Sequence, residues 1–230
     1  MDDFQLTRLI IAIAIDILIL GIILSKKVLK KSPFTTKFIT RTSLFAAIAT
    51  ILYVVPYLQF KLPIFPAFLE IHFDEVPAFI AGFAYGPFSA TLVLLIKTLI
   101  KLPFTSSLGV GELADLIYGI VLIIPSSIIY KKRRNFTSVI IGTSLGVFLQ
   151  VLVSSFFTTF VLLDFYMVVM GLSKQAILAM CQAVNPNITN LGWTFFLYVG
   201  LPFNALKDII LVVLTVLLYR RTKILLEKIV

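Results

Sequence analysis

Two residues near the end of the chain carry its clearest chemistry. In LPFNALKDIIL, Asn204 stands three places before Lys207, so in a helix the two share a face. An amide and an ammonium converging in an oily wall make a handle for a small polar molecule. Ligand pockets combine an apolar lining with a few placed polar groups in this way. Other ionisable residues interrupt apolar runs: Asp16, Lys97 in LVLLIKTLIK, Asp115 in GELADLIYG, and Asp164 after FFTTFVLL. Such charges are costly in lipid and mark either function or internal pairing. Lys207 has Asp208 and Asp115 as candidate partners, or it reaches toward a membrane surface. Lys101, near a helix end, is expected to snorkel, and Asp164 serves either a helix end or a ligand.

A second stretch, IHFDEVPAFIAGFAYGP (71–87), holds the only histidine, His72, beside Asp74 and Glu75. Asp74 suits a helix N-cap with Pro77 in the first turn. The helix over 75–85 measures only about 16 Å at about 1.5 Å per residue, too short for a hydrocarbon core of about 30 Å. Its neighbours must therefore enclose it, and the preceding loop over 56–74 is expected to fold back over the bundle.

Other chemistries lack their residues. The sequence has no HExxH and no Walker A loop, so zinc-protease and P-loop reactions are not supported. A single histidine in a loop is more often a surface or capping residue than a ligand. One cysteine, Cys181, excludes an intrachain disulfide and a CxxC metal site. No metal or bound cofactor is expected.

The elements that must position these groups follow from composition. Of 230 residues 60% are hydrophobic and 13% charged, and mean hydropathy is +1.06. Globular domains carry about a quarter charged residues, so this is an all-α, polytopic membrane protein. The net charge of +9 is not a nucleic-acid footprint, because fourteen of the 20 Lys and Arg fall in three clusters: 25–41, 131–135 and 219–230. Apolar runs predict helices over 6–24, 42–55, 75–85, 87–102, 112–130, 137–170 and 193–219. Threading the chain through them puts all three basic clusters on one side, the cytoplasmic one, against anionic headgroups. The C-terminus is then inside, the N-terminus outside, and the loops 56–74 and 164–192 face out. The segment over 6–24 reads as a retained helix rather than a cleaved leader. In TRTSLFAAIAT, Thr42, Ala46 and Thr50 are four apart, with Ser43 and Ala47 on the adjoining row. Small residues at that spacing let helices approach closely, inside the bundle or toward a partner.

The series LPIFPAFLEIHFDEVPAFIAGFAYGP, IKTLIK, GVGELADLIYGIVLIIPSSIIYKKRR and LPFNALKDIILVVLTVLLYRR, in this order and spacing, resembles the substrate-binding (S) components of energy-coupling factor (ECF) vitamin transporters. The riboflavin-specific branch is the most similar. The resemblance implies a six-helix bundle over 37–230, with 1–36 as an extra transmembrane helix and basic linker. It implies a vitamin, riboflavin first, bound near the outer face as cargo. Partners would be a membrane scaffold subunit and two ATPase subunits, so the chain itself is not an enzyme. By the same resemblance, Thr42, Ala46 and Thr50, with Ser43 and Ala47, contact the scaffold. Asn204 and Lys207, from a PFNxxK motif, contact the ligand, supported by Lys97, Thr158, Asp164 and the lid aromatics Phe65 and Phe68. The branch's acid before Lys97 is Leu94 here, its following asparagine is Thr98, and its Asn-Tyr pair is Thr158-Thr159. Pantothenate, a thiamine precursor, or a ligand-free structural or regulatory role are the alternatives.

Overall fold

The computed structural model describes residues 35–105, 107–171 and 173–229; the helix expected over 6–24, with Asp16, lies outside them. Every named element is helical. Thr35 opens α1 (Thr36–Val54), its hydroxyl accepting from the Phe38 N–H at 3.2 Å. Pro56 ends it, since the residue before a proline is held out of the helical region. The loop that follows closes into a small hairpin through one antiparallel bridge. Phe60 and Ile71 exchange N–H···O bonds of 3.0 and 2.8 Å.

The short element α2 (Glu75–Tyr85) then enters the bundle, and every residue from Glu75 to Phe83 is buried. This resolves its length. Enclosed by α1, by α3 (Pro87–Lys101), by α4 (Val110–Lys132) and by the last helix, it has no lipid to span. Gly86, at φ 101°, makes the turn between α2 and α3, a left-handed conformation that glycine adopts freely. Pro87 follows at the first helical position, where its missing N–H costs nothing. Asp74 precedes α2 but makes no side-chain cap. The capping expectation is corrected, because its carboxylate turns to Lys97 instead.

Asn135 caps α5 (Phe136–Phe157), accepting from the Ser138 N–H at 2.8 Å. Helices α4 and α5 approach so closely that a Cβ on Gly146 would lie 2.2 Å from the Leu122 carbonyl oxygen. Ser126 fills the same seam, donating to Leu122 O and to Gly142 O at 2.8 and 2.9 Å. Helix α5 runs through a π-turn, Thr158–Leu162, into α6 (Leu163–Met170). Helix α7 (Lys174–Val184) lies beyond it. The final rod begins as α8 (Trp193–Phe195), passes a second π-turn, Phe196–Gly200, and continues as α9 (Leu201–Ile229).

Among the described residues, five helical stretches are long and apolar enough to cross a membrane: Thr36–Val54, Pro87–Phe104, Val110–Lys132, Phe136–Val169 and Trp193–Arg221. The protein is a multi-pass membrane protein. Basic residues from three helices meet at one end of the bundle: Arg41 lies over the Tyr85 ring at 5.4 Å, Arg220 over Phe136 at 5.5 Å, and the Lys131 ammonium lies against Gly86. That end is sealed by Phe83, Tyr130 and Tyr219, with ring centroids 5.1 to 5.8 Å apart and a 3.2 Å hydrogen bond from the Tyr219 hydroxyl to that of Tyr130.

Candidate functional site

The opposite end holds a cavity of about 630 Å³, within the range of about 300–1,000 Å³ that suits a vitamin-sized ligand. Its cover is the hairpin, which contributes Gln59, Lys61, Phe68, Glu70 and His72, together with Ile177 and Met180 of α7. Its walls come from the ends of the long helices away from the basic cluster. Tyr53 ends α1, Glu112, Asp115 and Tyr118 line one face of α4, and Tyr166 projects from α6.

Asn204 and Lys207 both line this cavity. The second π-turn shapes their approach. The Asn204 Nδ2 donates to Gly200 O at 2.9 Å and to Ser155 Oγ at 3.2 Å, so both its protons are used and its amide oxygen is the atom offered to a ligand. Lys207 lies 3.7 Å from Glu75 Oε1. Its partner is neither Asp208 nor Asp115, because α2 inserts an acid that the sequence of α9 does not reveal. Asp208 is fully buried beside it, with no hydrogen bond to either carboxylate oxygen.

Lys97 takes a different place. It is 0% exposed, absent from the cavity wall, ion-paired with Asp74 and 3.6 Å from Asp115. Its ammonium also lies 4.5 Å from the centre of the Tyr53 ring. Of the two roles open to Lys97, support of the ligand residues or pairing with an acid, the geometry has the second, an internal pair that ties the start of α2 to α3 and α4. Lys101 does not simply extend outward: it lies 5.4 Å from the Tyr53 ring centre and lines the cavity.

Thr158 lines the cavity and shares a 3.2 Å hydrogen bond with the Tyr118 hydroxyl. Phe68 lines it too, stacked on Phe195 with rings 6.4 Å apart. Phe65 stands behind that wall, edge-on to Phe203 at 5.2 Å. Asp164 falls off the cavity wall, where Leu162, Leu163 and Tyr166 take the inward positions. Asp164 follows Thr158 by six residues, a spacing that puts the two on different faces of a helix. Of the five α1 residues expected to face a partner, Thr42 and Ala46 are buried, Thr42 bonding Ser89 Oγ at 2.9 Å. Thr50 is half-buried, donating to Ala46 O, and Ser43 and Ala47 are exposed. Internal packing thus accounts for Thr42 and Ala46.

The acidic wall was not singled out from the sequence as a ligand site. Glu112, Asp115 and Tyr118 recur every third residue and so share one face of α4, a signal that was present. Glu112 Oε2 accepts from Thr105 Oγ1 at 2.6 Å and Ser107 Oγ at 2.8 Å, holding the α3–α4 loop against the wall. Tyr53 and Tyr166 had no such periodic signal.

The electrostatics of the cover are set by one short cluster. His72 Nε2 is 3.7 Å from Glu70 Oε2, His72 Nδ1 is 4.0 Å from Asp74 Oδ1, and Lys61 reaches Glu70 Oε1 at 3.1 Å. The neighbouring His72 ring first, and Lys61 after it, hold the Glu70 carboxyl down at about 2 in spite of its partial burial. For His72, burial works against the proton, but Glu70, Asp115 and Asp74 outweigh it and raise its pKa above the usual value. Burial alone pushes the Cys181 thiol up to about 11, so it is not a reactive thiolate. Among the described residues no group of three His, Cys, Asp or Glu is placed to hold a metal ion.

Comparison with known proteins bears on this geometry. The family model described as ECF transporter, substrate-specific component, matches residues 37–219. The chain is 28% identical over 174 residues to the riboflavin transporter RibU of Staphylococcus aureus (strain TCH60), covering 76% of this chain and 85% of that one. It is 27% identical over 179 residues to the riboflavin transporter FmnP of Bacillus subtilis (strain 168), covering 76% and 88%. A solved structure of the S component of a bacterial ECF transporter superposes with a TM-score of 0.63 at 27% identity, covering 83% of this chain and 97% of that chain.

Proposed function

Since the chain belongs to the substrate-specific components of ECF transporters, a transport family rather than an enzyme family, we propose that it captures riboflavin, or a close flavin, in the cavity between hairpin and bundle. The observation that carries this reading is the pairing of Asn204 and Lys207 on the wall of a 630 Å³ cavity, in a chain whose relatives RibU and FmnP are named riboflavin transporters. A flavin is a flat apolar body with a polar edge of carbonyls and one N–H, and a polyhydroxyl tail. The Asn204 oxygen accepts from a ring N–H, and the Lys207 ammonium donates to a ring carbonyl. Phe68, Phe195 and Phe203 supply flat apolar surface. Glu112, Asp115, Tyr118 and Tyr166 offer acceptors and donors to hydroxyl groups.

In this reading the basic end faces the cytoplasm and the cavity opens outward. A membrane scaffold and two ATPase subunits supply the energy, because the chain has no nucleotide loop of its own. The scaffold meets the exposed row of α1 at Ser43 and Ala47, beside Thr50. The two domains expected from the sequence, 1–36 and 37–230, are kept as part of the proposal.

The test is a titration of the purified protein with riboflavin, followed by the quenching of flavin fluorescence. One equivalent should be taken up stoichiometrically, and pantothenate and the thiamine pyrimidine should not compete. Competition by either would move the ligand assignment. Uptake of no flavin, with thermal stabilisation by another vitamin, would overturn the riboflavin reading and leave the family intact.

A further inference from the structure

The hairpin that covers the cavity is held at its neck by titratable groups. His72 directly follows the bridge residue Ile71 and stands two residues before Asp74 and the start of α2. Its ring packs 5.5 Å from Tyr53, whose carbonyl accepts from Gln59 Nε2 at 3.1 Å. The imidazole lies between two carboxylates, Glu70 at 3.7 Å and Asp74 at 4.0 Å, and its Nε2 is buried without a hydrogen-bond partner. A neutral ring here leaves that nitrogen facing an anion with no charge to offer it. A protonated ring satisfies both acids. From α4, Asp115 favours the charged ring, while Lys207 of α9 opposes it. Two neighbouring cations are already committed: Lys97 to Asp74 and Asp115, and Lys61 to Glu70. Lys101 stands over Tyr53, beneath the same neck.

We propose that closure of the 60–71 hairpin over the cavity is proton-linked, with His72 as the latch between Glu70 and Asp74. This concerns the cover, whatever molecule the cavity holds. The direction follows from the closed state. Opening returns His72 and Glu70 to water. The pKa of His72 stands above 6.5 when closed, so its contribution to closure is complete below about 6.5 and is lost as pH rises through the raised value. Glu70, at about 2 when closed against 4.5 in water, contributes fully above about 4.5 and is lost as pH falls toward 2. The cover is therefore tightest in mildly acid solution and loosens on the alkaline side.

The experiment is hydrogen exchange of the full chain in lipid nanodiscs without added vitamin, read at the Phe60 and Ile71 amides that form the bridge. After correction for intrinsic exchange, protection should fall with rising pH, by up to about tenfold for each unit by which closure raises the His72 pKa. His72→Gln should flatten the profile. Glu70→Gln removes one of the two neighbouring carboxylates and should move the fall to lower pH, which keeps the test decisive if the first variant folds poorly. Bridge protection independent of pH in the native chain, or an unchanged profile in either variant, would overturn the proposal. Because no vitamin is added, this result stands apart from whether riboflavin binds.

Discussion

The two ends of the bundle are built from the same helices but use their charges in opposite ways. At the basic end, Lys131, Lys132, Arg133 and Arg134 follow directly on Tyr130 of the aromatic plug it forms with Phe83 and Tyr219, and all four stand exposed. At the other end the ionisable groups are drawn inside. Asp74, Glu75, Lys97 and Asp208 are 0 or 1% exposed, and they or their neighbours meet across four helices. A charge at a water interface costs little and fixes orientation. A charge inside a membrane bundle demands a partner, and the partners join α2, α3, α4 and α9 around a cavity. On the proposed function, the difference separates topology from site: the basic end would set which way the chain lies, and the other would hold the ligand.

The largest expected effect probes that contrast directly. Lys97→Met leaves Asp74 and Asp115 without their cation, and breaking a buried pair in this way costs about 3–5 kcal/mol. Thermal unfolding in detergent should show it, and a loss no larger than that of a surface lysine would dissolve the distinction between the ends. Next comes Gly146→Ala, which drives a methyl into the Leu122 carbonyl at the α4–α5 seam and should cost about 3 kcal/mol as an overpacked contact. Unchanged stability there would mean that the two helices are not held in close contact.

A smaller effect is expected from Asn204→Ala, which should weaken flavin binding by about 10- to 100-fold, on the order of 1–3 kcal/mol for unmade polar contacts. The readout is the dissociation constant from fluorescence quenching. Smallest of all, Lys131→Ala and Arg133→Ala at the basic end should stay within about 0.5 kcal/mol in stability and leave flavin affinity untouched. A sizeable loss of affinity in either would place the ligand at the wrong end.

How much of this was legible in the sequence depended on whether the signal was local. The long helices were, because apolar runs bounded by charge and proline report on the bilayer. So was the shared face of Asn204 and Lys207, fixed by three residues of spacing within one helix. The brief α2 was legible as an anomaly, and its enclosure explains it. Pairings between helices were not legible: Glu75 as the partner of Lys207, or Asp74 turning from cap to ion pair, depends on how α2 inserts. Asp164 lies off the cavity wall, and its helix-end reading, which the end of an apolar run had left open, stays with it. Thr42 and Ala46 show a different limit. A small residue that lets α1 lie close to α3 has the same spacing as one that would meet a partner, and only burial separates the two.

The most direct test of the central claim, that the cavity end holds a flavin on Asn204 and Lys207, is a single fluorescence titration of three purified proteins: the native chain, the Asn204→Ala/Lys207→Met double variant, and Lys131→Ala. The account predicts stoichiometric quenching of riboflavin by the native chain and by Lys131→Ala, and none by the double variant at the same concentration. A double variant that quenches like the native chain would contradict it.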